Sequence, residues 1–221
     1  MAVSYGFFND GWDINSSSSR GTDYAARVTG LAWDVPDSNQ FLHLGLAVRH
    51  VAADGSLCYR GRPGSNVTDF FVDTGNIAAE SAFQYGLEAL WNSGPYSLLA
   101  EYNHATVDSP ALGDPKFSGY YVTGSWVITG ETRPYDRNVG YARRVIPKRS
   151  WGALELVARH AQVDLDEPLV AGGSFTNTYM GVNRWATKRW KFGLGWTRTW
   201  LDKEGVDGVT DTVLARFQWV Y

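Results

Sequence analysis

Apolar and polar residues alternate with a period of two along most of this chain. At its end Val213, Ala215, Phe217, Trp219 and Tyr221 fall on one face, and Thr212, Leu214, Arg216, Gln218 and Val220 on the other. The same rhythm pairs Trp190, Phe192, Leu194 and Trp196 against Lys191, Gly193, Gly195 and Thr197. It sets Phe83, Tyr85, Leu87, Ala89 and Trp91 against Gln84, Gly86, Glu88 and Leu90, and Leu42, Leu44, Leu46 and Val48 against His43, Gly45, Ala47 and Arg49. Helical spacing fits these windows less well, so the chain reads as all-β. Ten strands are expected near 3–9, 21–34, 40–52, 80–92, 95–108, 116–129, 151–162, 173–186, 189–202 and 209–221. Several reach the ~9–11 residues that a tilted strand needs to cross a bilayer, whereas strands of soluble sandwiches average about five or six.

The connectors add a second rhythm. Pro36-Asp37-Ser38-Asn39, Asn92-Ser93-Gly94 and Thr187-Lys188 are tight turns of turn-forming or polar residues. Longer polar links at 10–20, 53–79, 109–115, 163–172 and 203–208 fall between them. Short and long links alternate in barrels of the bacterial outer membrane, with turns on the periplasmic side and loops outside. The link 130–150 breaks the rule, being long in a short-turn slot. Trp91, Tyr96, Trp151, Trp185, Trp190, Trp200, Trp219 and Tyr221 gather near strand ends, where aromatic girdles meet lipid headgroups.

Composition changes this picture little. Aromatic content of 14%, with ten Trp, excludes a disordered chain. Twenty Lys and Arg against 23 Asp and Glu leave no global charge that would point to nucleic acid. The single cysteine, Cys58, excludes an internal disulfide framework and a CxxC motif. A low average hydropathy without an ~18-residue apolar run is compatible with a barrel, whose strands are half polar. The sequence reads as one domain over 1–221, an antiparallel transmembrane β-barrel, with no cofactor and no enzymatic motif. His43, His50, His104 and His160 lack metal-ligand spacing, and no GxSxG or P-loop occurs.

Ordered along the strands, Leu42-His43-Leu44-Gly45-Leu46, Gly86-Leu87-Glu88-Ala89, Ser118-Gly119-Tyr120-Tyr121 and Thr129-Gly130-Glu131-Thr132-Arg133 resemble the phosphate-selective porin O and P family. Trp151-Gly152-Ala153-Leu154-Glu155-Leu156, Tyr179-Met180-Gly181-Val182-Asn183 and the terminal Arg216-Phe217-Gln218-Trp219-Val220-Tyr221 extend the resemblance. It implies an outer-membrane porin for small anions, phosphate-like or polyphosphate-like, embedded in outer-membrane lipid and assembled as a homotrimer. It also implies a sixteen-stranded barrel, of which these ten strands form the C-terminal portion with the N-terminal strands missing. Closure of the ten strands into a small barrel is the alternative.

The resemblance implies that 53–79 is an external loop folded into the lumen, and that Arg60 and Arg62 belong to an arginine ladder at the constriction. The chemistry is sound on its own terms, since guanidinium offers paired planar donors to phosphate oxygens. Arg-x-Arg in extended backbone puts both side chains on one side. Asp69 and Asp73 nearby argue against strong selectivity. Link 130–150 carries Arg133, Arg137, Arg143, Arg144, Lys148 and Arg149 against Glu131 and Asp136, a basic periplasmic mouth. The alternation assigns Arg27, Arg49, Glu88, Glu101, Glu155, Arg159, Lys191 and Arg216 to the lumen. A general, weakly selective porin is the alternative. Readings from other classes are an outer-membrane hydrolase using His104 and Asp108, and a soluble β-barrel ligand binder.

Overall fold

The computed structural model describes residues 1–9, 22–53 and 55–220. Ten long strands build one antiparallel sheet: β1 (Ala2–Asn9), β2 (Thr22–Val35), β3 (Gln40–Ala52), β4 (Ser81–Ser93), β5 (Tyr96–Asp108), β6 (Lys116–Val127), β7 (Ala153–Glu167), β8 (Val170–Trp185), β9 (Trp190–Lys203) and β10 (Val206–Trp219). Each pairs with its neighbours in sequence, giving an up-and-down meander with β1 and β10 at its edges. All ten strands expected from the alternation are present. Link 10–20 and Tyr221 lie outside the described residues.

The registers keep one face apolar from strand to strand. On β9 and β10, Trp190 opposes Trp219, Phe192 opposes Phe217, Leu194 opposes Ala215 and Trp196 opposes Val213. These side chains are open: Val213 is 70% exposed, Phe217 60% and Leu194 59%. A contiguous apolar surface of this extent is foreign to soluble monomers and suits lipid. The soluble-binder alternative loses its main support here. The opposite face carries Arg27, Arg49, Glu88, Glu101, Glu155, Arg159, Lys191 and Arg216, all in one register phase, as the alternation assigned them.

This polar face is concave. Gly140 approaches β1 so closely that a Cβ there would lie 3.5 Å from that of Ala2, while Val145 packs with Val127, Ala153 and Trp185. The five peptide steps from Gly140 to Val145 reach at most about 17 Å. Seven strand spacings separate β1 from β8, about 34 Å along the sheet. Only a curled sheet reconciles the two lengths.

Two expected loops are instead strand. Residues 163–167 continue β7 through a bulge between Asp164 and Asp166, and β8 resumes at Val170 after a two-residue turn. Residues 203–208 are a hairpin closed by Glu204 and Gly205, at φ 54° and 73°. That backbone matches strand twist, so Asp- and Glu-rich sequence here marks ribbon standing clear of lipid rather than irregular loop. Trp185 also departs from expectation. It points inward, 8% exposed, and is no part of a girdle. Its indole donates to Glu155 at 3.0 Å.

Candidate functional site

Between β3 and β4 the chain folds onto the concave face. Ser56–Leu57 pairs with Ile77–Ala78, and Arg60–Gly61 with Val72–Asp73, so the loop is a small ladder of its own. Val72, Ile77 and Ala79 are buried against Ala82, Val107, Phe117 and Phe175 from the inner face of the sheet. Tyr59 packs against Phe117, ring centroids 5.2 Å apart and tilted, and accepts a hydrogen bond from Gln84 at 2.9 Å. Gly61, between the two arginines, lets the backbone approach β8: a Cβ would lie 3.1 Å from the Phe175 ring.

Arg60 and Arg62 stand on one side of this ladder, both over the Phe70 ring, at 5.2 and 3.9 Å. They are not equivalent. Asp73 pairs with Arg60 at 3.0 Å and pushes the guanidinium pKa still higher. Asp73 itself accepts from the Gly75 amide, the Cys58 thiol and Arg60, which together hold its carboxyl below the ordinary range. Arg62 donates to the Thr68 carbonyl at 2.8 Å and, among the described residues, has no carboxylate partner.

Elsewhere on the concave face the cations divide in the same way. Arg27 pairs with Glu88, and Arg49 with Asp23 at 2.8 Å. Arg159 lies over the Tyr121 ring at 3.9 Å and Lys191 over Trp185 at 4.5 Å, with no carboxylate paired to either among the described residues. Arg216 is likewise outside the described ion pairs. A ring face fixes a cation without cancelling its charge, so Phe70, Tyr121 and Trp185 seat three cations whose charge no paired carboxylate offsets among the described residues. These aromatic seats were not identified from sequence. A cavity of about 750 Å³ borders Tyr59, Gln84, Asn103 and Tyr121, and its formal charges are Arg27, Arg49 and Arg159.

The link 130–150 also folds inward, at the tight-turn end. Buried His43 donates from Nε2 to Glu88 at 2.9 Å and meets the Tyr135 hydroxyl through Nδ1 at 2.7 Å, docking the link on β3 and β4. Arg133 pairs with Glu155 of β7, Arg137 with Asp34 of β2, and Arg143 with Asp136 within the link. Arg144 donates to the Lys188 carbonyl at 2.9 Å. The link therefore places three of its arginines on carboxylates, and the two on the sheet offset half of its excess of positive charge. Arg143 and the amides of Asn138 and Val139 hold the Asp136 carboxyl below its usual range. Burial alone would push Glu131 up, but the Thr129 hydroxyl and the Lys148 amide donate to it and bring it below the ordinary value.

His104 and Asp108 do not meet as a dyad. Four residues apart on β5, they are separated by about 13 Å. His104 faces outward among Tyr85, Tyr102 and Thr106, and Asp108 accepts from Ser81 at 3.3 Å.

Porin O of Pseudomonas aeruginosa is 27% identical over 152 residues, covering 62% of this chain and 35% of that protein. An uncharacterized protein of Caulobacter vibrioides is 29% identical over 184 residues, covering 76% of this chain and 37% of its own length. The matched chain thus spans little more than a third of either relative. The family model for phosphate-selective porin O and P matches residues 12–221, and the chain belongs to that family.

Proposed function

We propose that the chain forms part of an outer-membrane porin passing small anions, phosphate-like or polyphosphate-like, by diffusion past a constriction that includes Arg60 and Arg62. The observation that carries this reading is the seating of Arg62, Arg159 and Lys191 on aromatic rings on the concave face. Guanidinium groups replace part of an anion's hydration shell, and several weak sites in series let the ion leave again. A homotrimer in outer-membrane lipid is the expected assembly. Single-channel recording of the full-length protein in chloride and in phosphate tests the reading. A reversal potential that favours cations in a potassium chloride gradient would sink it.

A weakly selective porin is the second reading, favoured by the carboxylates on Arg27, Arg49 and Arg60. Asp73→Asn separates the two. A unit charge about 8 Å from an ion in water-like surroundings is worth about 0.5 kcal/mol, so the variant should raise anion-over-cation permeability roughly twofold. Acid should act in the same direction. The lowered Asp73 pKa means that its ionised, loop-stabilising form is fully present above the ordinary aspartate value of about 3.9 and is lost as pH falls through the still lower folded value. Anion preference should therefore stay flat from neutral pH to about 5 as far as Asp73 is concerned, and Asp73→Asn should abolish its share of any rise below 4. An unchanged permeability ratio in Asp73→Asn at pH 7 would show that Arg60 does not face the ion path.

A further inference from the structure

The outward face holds a feature that the lumen does not explain. His160, Thr178, Arg198 and Asp211 oppose one another in register across β7, β8, β9 and β10. They make a polar row on an otherwise apolar surface, with His160 Nδ1 3.1 Å from the Thr178 hydroxyl. Arg198 and Asp211 lie 3.6 Å apart, each nearly half exposed, and Asp211 also accepts from the Trp196 indole at 3.1 Å. One loose pair leaves most of the five guanidinium donors of Arg198 open.

One register step towards the tight-turn end, the surface sinks. Gly124 opposes Ala158, and a Cβ at Gly124 would meet nothing within 4 Å. Leu98, Trp126, Leu156, Met180, Val182 and Trp196 wall a groove of about 930 Å³ around this pair. The row also sits at a defined depth. Arg198 is eight residues from the outward Trp190, and on β5 His104 is eight residues from the outward Tyr96. Eight residues span about 26 Å along a strand, or about 20 Å across the membrane at a tilt of about 40°, most of the apolar band of about 25 Å. The polar row thus stands at the far edge of that band from the Trp-rich girdle, where the long Arg198 side chain reaches headgroups.

We propose that this groove is a lipid site: an acyl chain lies over Gly124 and Ala158, and a phosphate-bearing headgroup is held by Arg198 with Thr178 and His160. Charge complementarity selects the occupant. A phosphate diester that no choline ammonium offsets accepts several hydrogen bonds and carries the net negative charge that Arg198 lacks in a full partner, whereas an apolar protein surface would leave Arg198 and Asp211 uncovered. The inference rests on the outward face meeting lipid, not on which ion the lumen passes.

The test uses the full chain in nonionic detergent with phosphatidylglycerol or phosphatidylcholine, counting retained lipid by native mass spectrometry. Wild type should retain phosphatidylglycerol roughly fivefold better than phosphatidylcholine, the scale of one charge-assisted contact. Arg198→Gln, a change at an exposed position, should abolish that preference and spare phosphatidylcholine. Gly124→Trp should lower retention of both lipids. Equal retention of the two lipids by wild type, or counts unchanged in both variants, overturns the proposal. So does a dimer that Gly124→Trp dissociates without loss of lipid, since the groove would then be covered by a second copy. Neither variant should alter ion selectivity, so failure of the porin reading and failure of this one are separable.

Discussion

Replacing Glu155 with alanine is expected to cost about 3–5 kcal/mol of stability, the range for stripping one partner from a buried charge pair. Glu155 is fully buried, and its carboxylate accepts from Arg133, from Asn183 at 3.1 Å and from the Trp185 indole at 3.0 Å. Alanine leaves a guanidinium and two inward donors without an acceptor. It also releases the anchor that ties link 130–150 to β7, so the damage should reach Val145, packed beside Trp185. The measurement is the urea midpoint of the protein refolded in vesicles, followed by tryptophan emission. Glu155→Gln keeps an acceptor for Asn183 or Trp185 but strands the Arg133 charge, and should fall between wild type and alanine. Glu155→Gln combined with Arg133→Met removes the unpaired charge and should regain part of the loss. If the double variant is no more stable than Glu155→Gln, the ion pair is not what docks the link.

The strand plan was legible because each strand has one apolar face and a period of two, and both are written directly into the residue order. Phase alone put the eight charged residues from Arg27 to Arg216 on one face of the sheet, the concave one. Boundaries failed where the apolar face ends. At 163–172 and 203–208 apolar residues no longer mark a face, although the backbone continues to pair. Trp185 was misassigned by its place near a strand end, yet it shares the inward parity of Asn177, Tyr179 and Asn183, which would have corrected it. Tyr121 was recoverable in the same way, from the parity of Gly119 and Thr123. Phe70 was not. It lies in a loop without periodicity, and its place beneath Arg60 and Arg62 depends on a fold-back from Arg60–Gly61 to Val72–Asp73 that nothing in the local sequence announces. The ion pairs of link 130–150 were hidden for a related reason. Arg133 and Glu155 are 22 residues apart, and Arg137 and Asp34 are 103 apart, so only the curled sheet brings them together.

The division of cations into neutralised and ring-seated groups leads to the largest expected change in transport. Arg62→Ala with Arg159→Ala should lower anion-over-cation permeability about fivefold to tenfold, whereas Arg60→Ala alone should lower it about twofold. A unit charge 4 Å from an ion in water is worth about 1 kcal/mol, so two charges set a ceiling near 2 kcal/mol, about thirtyfold. Salt in the recording chamber screens part of that, with a Debye length of about 10 Å at 0.1 M. Arg60→Ala removes one positive charge and leaves Asp73 without its partner at 3.0 Å, so its effect mirrors that of Asp73→Asn in size and opposes it in sign. Phe70→Leu is the control that isolates the seat from the charge. It leaves both arginines in place but removes the ring lying 3.9 Å from Arg62, so open-channel noise should rise while the mean permeability ratio moves little. The measurement is the reversal potential of single channels of the full-length protein in a tenfold salt gradient, repeated with phosphate in place of chloride. If Arg60→Ala matches or exceeds the Arg62→Ala/Arg159→Ala effect, the ion path follows the ladder side of Asp73 and not the ring-seated cations, and the proposed track is wrong.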